Sequence, residues 1–116
     1  MDITIDLAKA LPSHPFGRYH PTDGDSTGER FRESVLKDAL SELEHGSKLL
    51  IDFTGLSMPV SSAFLSEAFY GCVKRGYSTA EKLRESLVVV DESHMRSVYK
   101  SSIERFIHQA EKDMEA

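Results

Sequence analysis

The sequence predicts an α/β fold, with a mixed sheet of about four strands covered by about four helices. Short apolar runs typical of strands, at residues 3–7, 48–53 and 87–90, alternate with segments in which apolar residues recur every three or four positions. Strands separated by helical segments indicate parallel crossovers. The chain has 116 residues, which suffice for one core, and we expect a single domain.

The N-terminal segment predicts a half-buried strand, because Ile3, Ile5 and Leu7 alternate with polar residues. We expect this strand to run antiparallel to the others, which makes the sheet mixed. Aromatic and turn residues at 16–19 predict a short further strand. Residues 8–28 contain three prolines and three glycines, and within them the 17–28 segment predicts a long surface loop, either a functional loop or a plain connector.

Three segments have the apolar spacing of amphipathic helices, namely residues 29–43, 62–75 and 93–110, and a cap at 78–81 predicts a fourth, short helix through Arg84. Small polar residues that cap helices precede each segment, and glycines follow the first two. The predicted caps are Ser26 or Thr27, the serine pair at 61–62, the 78–81 segment and Ser93, and the predicted terminating glycines are Gly46 and Gly76.

The stretch from 49 to 75 is the most informative about function. A central strand that we expect to be buried on both faces ends at Asp52, a loop with Gly55 and Pro59 follows, and Ser61 and Ser62 precede a helix. The first backbone amides of a helix lack partners within the helix and carry its positive dipole end. Such an end can hold an anion, or can surround a phosphorylated serine.

Composition excludes several classes of function. The net charge of −5 argues against a nucleic-acid binder, and no apolar run reaches the roughly 20 residues that span a membrane. The single cysteine forms no internal disulfide, and with scattered histidines it makes no zinc pattern. The phosphate-loop and dinucleotide motifs are absent. We therefore expect a cytoplasmic protein without a cofactor or metal.

A catalytic group could be imagined in the 17–28 loop and just before it, where histidine, serine and aspartate residues cluster. No G-x-S-x-G pattern supports a hydrolase, and no glutamate stands at the spacing that a calcium loop needs. We therefore expect that the protein is not an enzyme. The residues considered are His14, His20, Asp23, Asp25 and Ser26.

Several short motifs resemble a family of small bacterial proteins, the STAS-like domains. They are GRY at 17–19, GERFRE at 28–33, DF at 52–53 and SSAFLSEAF at 61–69. The family pattern places phenylalanine directly after the serine pair, whereas Ala63 intervenes here. The resemblance covers about residues 16–107 and implies a STAS-like fold for the whole domain, 1–116.

The same stretch is more distantly similar to the STAS domain of anti-sigma-factor antagonists. In those domains a serine at a helix start is phosphorylated by a partner kinase. Residues 60–63 fall on that motif, with Val60 in place of its aspartate and Ala63 in place of its glycine. The resemblance implies a regulatory protein-interaction module switched at Ser61 or, second, at Ser62.

Two functional hypotheses remain open. The first is a non-enzymatic module that binds a protein, such as a histidine-kinase-like ATPase, and that is a monomer or weak homodimer. The second is a sensor that binds a nucleotide or another anion near Ser61. The predicted phosphorylation or partner contacts are Ser61, Ser62, Asp52 and Glu67, and the predicted anion or partner contacts are Arg18, Arg30 and Arg32. Asp52 could instead only bond the loop, and Glu67 could pair with Arg18 or Arg30.

Overall fold

In the part of the chain that the structure describes, three strands and the helices between them form the fold. The computed structural model describes residues 1–10, 27–56, 59–92 and 95–115. In chain order the elements are β1 (Ile3–Asp6), α1 (Leu7–Ala10), α2 (residues 28–42), β2 (Leu49–Asp52), α3 (residues 62–74), α4 (Ala80–Ser86), β3 (Leu87–Val90) and α5 (Arg96–Glu115). The predicted helices are confirmed in kind and in order, and the short turn α1 replaces the end of the first predicted strand.

Helices α2 and α3 each contain a π-helical segment, in which the backbone hydrogen bonds span one residue more than in an α-helix. In α2 this segment is Arg32–Leu36, and in α3 it is Ser66–Tyr70. The two π-helical segments contact each other in the packed structure. Segments of this kind are frequent at functional sites.

The described sheet contains three strands in the order β1-β2-β3, and both pairings are parallel. The register places Ile3 beside Leu49 and Leu49 beside Leu87. The prediction of a mixed sheet with an antiparallel N-terminal strand is therefore wrong for the described residues. The reason is that the chain crosses back past the sheet before each new strand, which returns every strand to the same direction. The fourth strand predicted at 16–19 lies outside the described residues.

The central strand β2 is buried on one face instead of two. Leu49 and Ile51 are fully buried, whereas Leu50 and Asp52 are half-buried. On the same face as Leu50, the aligned Val88 of β3 is 37% exposed. The sequence does not predict this difference in burial between the two faces of β2, because the run Leu49-Leu50-Ile51 places apolar residues on both of them.

Capping residues set the helix ends as the sequence predicts. Thr27 caps α2 by accepting the Arg30 amide at 3.2 Å, and Thr79 caps α4 by accepting the Lys82 amide at 3.1 Å. Gly46 and Gly76 follow α2 and α3 with φ values of 86° and 78°, which other residues adopt only at a cost. The predicted cap Ser93 lies outside the described residues.

Within the described part of the chain, no helix combines the length and the apolar character that crossing a membrane requires.

Candidate functional site

The loop after β2 begins with a turn that Asp52 organises. Its Oδ1 accepts a hydrogen bond from the Thr54 amide at 2.9 Å, and the Leu56 amide donates to the Phe53 carbonyl at 3.3 Å. Asp52 thus forms a hydrogen bond within the loop, which is one of the two roles that the sequence allows for it. It also lies half-buried at the carboxyl edge of the parallel sheet, where α/β proteins bind their ligands.

Helix α3 begins with a serine N-cap. Ser61 has extended backbone angles, φ −72° and ψ 153°, and its side chain accepts the Phe64 amide at 3.1 Å. The Ser61 carbonyl accepts the Leu65 amide at 3.2 Å. Ser61 is half-buried, whereas Ser62 is exposed in the first turn. The sequence favours Ser61 over Ser62 as the phosphorylated residue, but the Ser62 side chain is the more accessible of the two.

The first turn of α3 leaves backbone donors open. Among the described residues, no atom accepts a hydrogen bond from the amides of Ser62 or Ala63. These two amides lie at the positive end of a helix that continues through residue 74. An anionic group attached to the exposed Ser62 side chain, or supplied by another molecule, would meet them.

The helix start is held against α5 by Tyr99. The buried Val60 amide donates to the Tyr99 hydroxyl oxygen at 3.0 Å. The Tyr99 ring stacks on Phe53, with ring centroids 4.3 Å apart and an interplanar angle of 20°. Tyr99 therefore connects the end of β2 and the start of α3 to a third element. Tyr99 belongs to the last predicted helix, residues 93–110, and its spacing in that helix predicts an apolar contact but not this hydrogen bond.

Arg32 and Glu67 form a buried ion pair between α2 and α3. The Arg32 side chain is 1% exposed, and its Nη1 donates to Glu67 Oε1 at 2.7 Å and to the Glu67 carbonyl at 2.8 Å. The Glu67 side chain is 18% exposed. The hypothesis that Glu67 pairs with a basic residue is thus realised by a different arginine from the two we expected, Arg18 and Arg30.

The prediction that Arg32 contacts an anion or a partner is corrected by its position. Its guanidinium lies beside Glu67 and Gly71, in the second and third turns of α3, and it is not a surface group. Arg30 is exposed and lines a depression of about 420 Å³ together with Arg75 and acidic neighbours. Arg18 lies outside the described residues, as do the loop residues weighed for catalysis and calcium binding.

The ion pair extends to the surface through Glu33 and Tyr77. Arg32 Nε donates to Glu33 Oε2 at 2.8 Å, and the Tyr77 hydroxyl donates to Glu33 Oε1 at 2.7 Å. Burial by itself would lower the pKa of Arg32, but its hydrogen bonds to Glu33 and Glu67 outweigh this effect and raise it. The hydrogen bond from Arg32 lowers the pKa of Glu33. Arg32 therefore stays charged between the two helices.

Two glycines allow the helices to approach this closely. A Cβ atom on Gly28 would overlap the Phe64 carbonyl oxygen, and a Cβ atom on Gly71 would overlap the Arg32 guanidinium. Between them the rings of Phe31 and Phe64 lie with centroids 5.5 Å apart. The motifs at 28–33 and 61–69 that suggested the family thus meet each other inside the protein and fix the position of α3.

Cys72 belongs to the same interior. It is buried, and desolvation raises the pKa of its thiol to about 12. A thiol with this pKa carries almost no thiolate at neutral pH, so it behaves as a small apolar residue and not as a nucleophile. Among the described residues, no group of histidine, cysteine or acidic side chains is placed to hold a metal ion.

Comparison with known proteins identifies the family. A model of the STAS-like domain of unknown function (DUF4325) matches residues 27–95, which contain α2, β2, α3, α4 and β3. No curated protein and no solved structure gives a significant match. The match confirms the resemblance inferred from the sequence motifs, and it includes both the α2–α3 ion pair and the Ser61–Ser62 helix start. The chain therefore belongs to the family of STAS-like domains.

Proposed function

We propose that this chain is a non-enzymatic regulatory module that binds a cytoplasmic protein through the start of α3. We call this region the Ser62 surface, and it comprises Thr54, Gly55, Pro59 and Ser62, all of which are exposed. The observation that supports the proposal most strongly is the contrast between the exposed Ser62 side chain at the helix start and the hydrogen-bonded framework beneath it. The Tyr99 hydroxyl accepts the Val60 amide and so fixes the loop, and Arg32 donates to Glu67 and so fixes α3 against α2.

Phosphorylation of a serine in this surface would switch the interaction. Ser62 is the better acceptor of the two serines, because it is exposed while the Ser61 oxygen already accepts the Phe64 amide. A phosphate on Ser62 would lie next to the open amides of Ser62 and Ala63 and would be stabilised by the helix dipole. The modification would change the charge of the surface without unfolding the helix. By analogy with anti-sigma-factor antagonists, the partner is a histidine-kinase-like ATPase.

Phosphosite mapping tests this part of the proposal. The purified chain is incubated with ATP in a native lysate of its source cells, and the modified residues are identified by mass spectrometry. We expect phosphate on Ser62 and its loss in Ser62→Ala. The exposed serines Ser34, Ser41 and Ser101 provide an internal control. Phosphate spread over these control serines, or absent from both Ser61 and Ser62, would refute the switch.

A second candidate function is an anion sensor, which the open amides of Ser62 and Ala63 favour. Against it stands the placement of Arg32, whose guanidinium is engaged by Glu33 and Glu67. A ligand that binds only the folded state must raise the melting temperature. Thermal unfolding with inorganic phosphate and a panel of nucleotides therefore separates the two candidates. The protein-binding module predicts no shift, and a saturable shift that is lost in Ser62→Pro favours the sensor.

A further inference from the structure

The outer edge of β3 offers backbone groups to a further strand. The Phe53 amide donates to the Val90 carbonyl at 2.8 Å, so Val90 directs its backbone groups toward β2. Because these groups alternate along a strand, Val88 does the same, while Val89 directs its amide and carbonyl outward. Among the described strands β3 lies at the edge of the sheet, and no described residue bonds to these two outward groups. An extended segment that lies along β3 can therefore bond to them.

The composition of β3 lacks the usual protection against strand addition. Edge strands are commonly blocked by charged residues, proline or bulges. Residues 87–90 read LVVV and pair with β2 in continuous register, and Val88 is 37% exposed. The opposite edge strand of the described sheet, β1, carries Asp6. Of the two described edges, that of β3 is therefore the one that favours a further strand.

A groove with a volume of about 610 Å³ runs beside this edge, between β3 and α5. Helix α5 runs back along the strand. Arg96 at the start of α5 shares a depression with the end of β3, whereas Glu111 near the end of α5 pairs with Arg84, which stands just before β3. Side chains spaced one turn apart on α5 therefore follow one another along the groove.

The α5 side of the groove is cationic at one end and apolar at the other. Its lining changes from Arg96 and Lys100, toward the end of β3, to Ile103 and Ile107, toward the start of β3. Leu83 of α4 extends the apolar end. The complementary ligand is therefore anionic at one end and apolar at the other.

The two other charges that line the groove belong to a network of their own. Arg84 Nη2 donates to Glu111 Oε1 at 2.8 Å. This hydrogen bond raises the pKa of Arg84, and the charge of Glu104, the one acid among the described lining residues, adds to the effect. Arg84 therefore has acidic neighbours within the chain and needs none from a ligand.

Arg96 and Lys100 are the cations that remain. Both are exposed, and neither forms an ion pair with a described residue. Asp91 and Glu92 share a second depression with Arg96, but they follow the end of β3 and do not line the groove. Two neighbouring cations without ion pairs, on a chain whose net charge is −5, favour an anionic ligand at this end of the groove.

We infer that the edge of β3 binds an acidic, extended segment of another protein as an added strand. The Val89 amide and carbonyl bond to the main chain of this segment, and the groove selects its side chains. Alternate residues of a strand lie about 6.7 Å apart, and residues four apart on a helix rise about 6 Å, so the two spacings match. Alternate carboxylates therefore face Arg96 and Lys100, and alternate apolar side chains face Ile103 and Ile107.

Fluorescence anisotropy with labelled peptides tests this site, none of whose described lining residues belongs to the Ser62 surface. In the probe peptide, threonine alternates first with two isoleucines and then with two glutamates. The reversed sequence is the second probe, because an added strand can run in either direction. We expect saturable binding of one probe, and binding at least about tenfold weaker when lysines replace its glutamates. Failure of both probes to bind would overturn the inference.

Charge reversal tests the role of the two cations. Lys100→Glu should weaken the binding of the acidic probe at least about tenfold. Lys112→Glu, on α5 outside the groove, is the matched control and should bind the probe normally. In Arg96→Glu/Lys100→Glu the preference should reverse in favour of the lysine peptide. All three variants change exposed residues and should unfold at the temperature of the unmodified chain. Equal binding by Lys100→Glu and Lys112→Glu would overturn the inference.

N-methylation of the probe tests strand addition without a change in the protein. Alternate amides of an added strand face β3, so methylating one alternating set should abolish binding, and methylating the other set should leave binding unchanged. Val89→Pro removes an outward amide without removing a hydrogen bond to β2, and it should weaken binding while circular dichroism stays unchanged. Equal effects of the two methylated peptides would show that the peptide does not bind as a strand and would overturn the inference.

Discussion

Arg32 of α2 binds both the carboxylate and the main-chain carbonyl of Glu67 in α3, at 2.7 and 2.8 Å. A guanidinium that reaches a side chain and a backbone oxygen of the same residue fixes the rotation of α3 as well as its distance from α2. The exposed Ser62 stands less than two turns before Glu67 in this helix. The orientation of the Ser62 surface therefore depends on an ion pair in the protein interior.

Breaking this pair should destabilise the fold severely. In Arg32→Met the Glu67 carboxylate loses its basic partner. In Glu67→Gln the buried Arg32 guanidinium loses one of the two carboxylates that neutralise its charge. Removing one member of a buried pair costs about 3–5 kcal/mol. We expect a loss of this size for Arg32→Met in urea unfolding, and a smaller loss for Glu67→Gln.

The exposed pair between Arg84 and Glu111, at 2.8 Å, is the matched control. Removing an exposed ion pair usually costs less than about 1 kcal/mol, so Arg84→Ala should unfold close to the unmodified chain. If Arg32→Met proved no more costly than Arg84→Ala, the Arg32–Glu67 pair would not hold the helices together.

The pair also predicts a pH dependence through Glu33. Its pKa in the folded protein lies below the ordinary value because Arg32 donates to it. Glu33 therefore stabilises the fold at pH values above about 4.5, the ordinary range for a glutamate, and loses this contribution as the pH falls through its folded-state pKa. We expect the difference in the free energy of unfolding between the unmodified chain and Glu33→Gln to shrink between about pH 5 and pH 3. A difference that is constant over this range would contradict the assignment.

The close approach of α2 and α3 should make Gly28 intolerant of a side chain. In Gly28→Ala the new methyl group would overlap the Phe64 carbonyl oxygen, which is backbone and can yield only if the helices move apart. Overpacking of this kind typically costs about 1–3 kcal/mol, and we expect a loss near the upper end because the opposing atom is backbone. Gly76→Ala is the control, because the space around Gly76 is open and only its positive φ opposes a side chain. We expect this substitution to cost about 1 kcal/mol. Equal losses in chemical denaturation would mean that the contact at Gly28 is not tight.

Removing the Tyr99 hydroxyl should loosen the loop before α3. Tyr99→Phe keeps the ring on Phe53 but leaves the buried Val60 amide without its acceptor, which costs about 1–3 kcal/mol. Hydrogen exchange of the Val60 amide should then be faster than in the unmodified chain. Tyr70→Phe removes a hydroxyl that bonds Asp113 near the surface, and it should leave Val60 exchange unchanged. Unchanged exchange in Tyr99→Phe would show that other contacts hold the loop.

Local patterns in the sequence predicted the elements well. The helical spacing, the threonine caps Thr27 and Thr79 and the glycines Gly46 and Gly76 each act within a few residues of the chain, and all are found where expected. Strand direction is not a local property. The antiparallel assignment of β1 failed because the alternation of Ile3 and Ile5 shows that one face is buried but not which way the neighbouring strand runs.

The candidate site was predicted only in part, because the sequence shows local features but not the contacts between distant residues. The serine cap is encoded in adjacent residues, so its position at Ser61 followed from the sequence. The burial of Arg32 depends on a carboxylate 35 positions away and on the space that Gly71 leaves, and an arginine among acidic neighbours resembles a surface residue. Gly28 and Glu67 stand in the family motifs, and those motifs are the signal in the sequence that could have suggested a shared structural role.

The central claim is that the Ser62 surface is where the chain meets its protein partner. The most direct measurement compares the proteins that tagged variants retain from a native lysate, by quantitative mass spectrometry. Ser62→Arg places a long cation in the surface, and Ser41→Arg places the same side chain at an exposed position of α2. We expect that one protein is retained by the unmodified chain and by Ser41→Arg and is reduced at least about tenfold with Ser62→Arg, while all three chains unfold at the same temperature. Equal retention by Ser62→Arg and Ser41→Arg would contradict it.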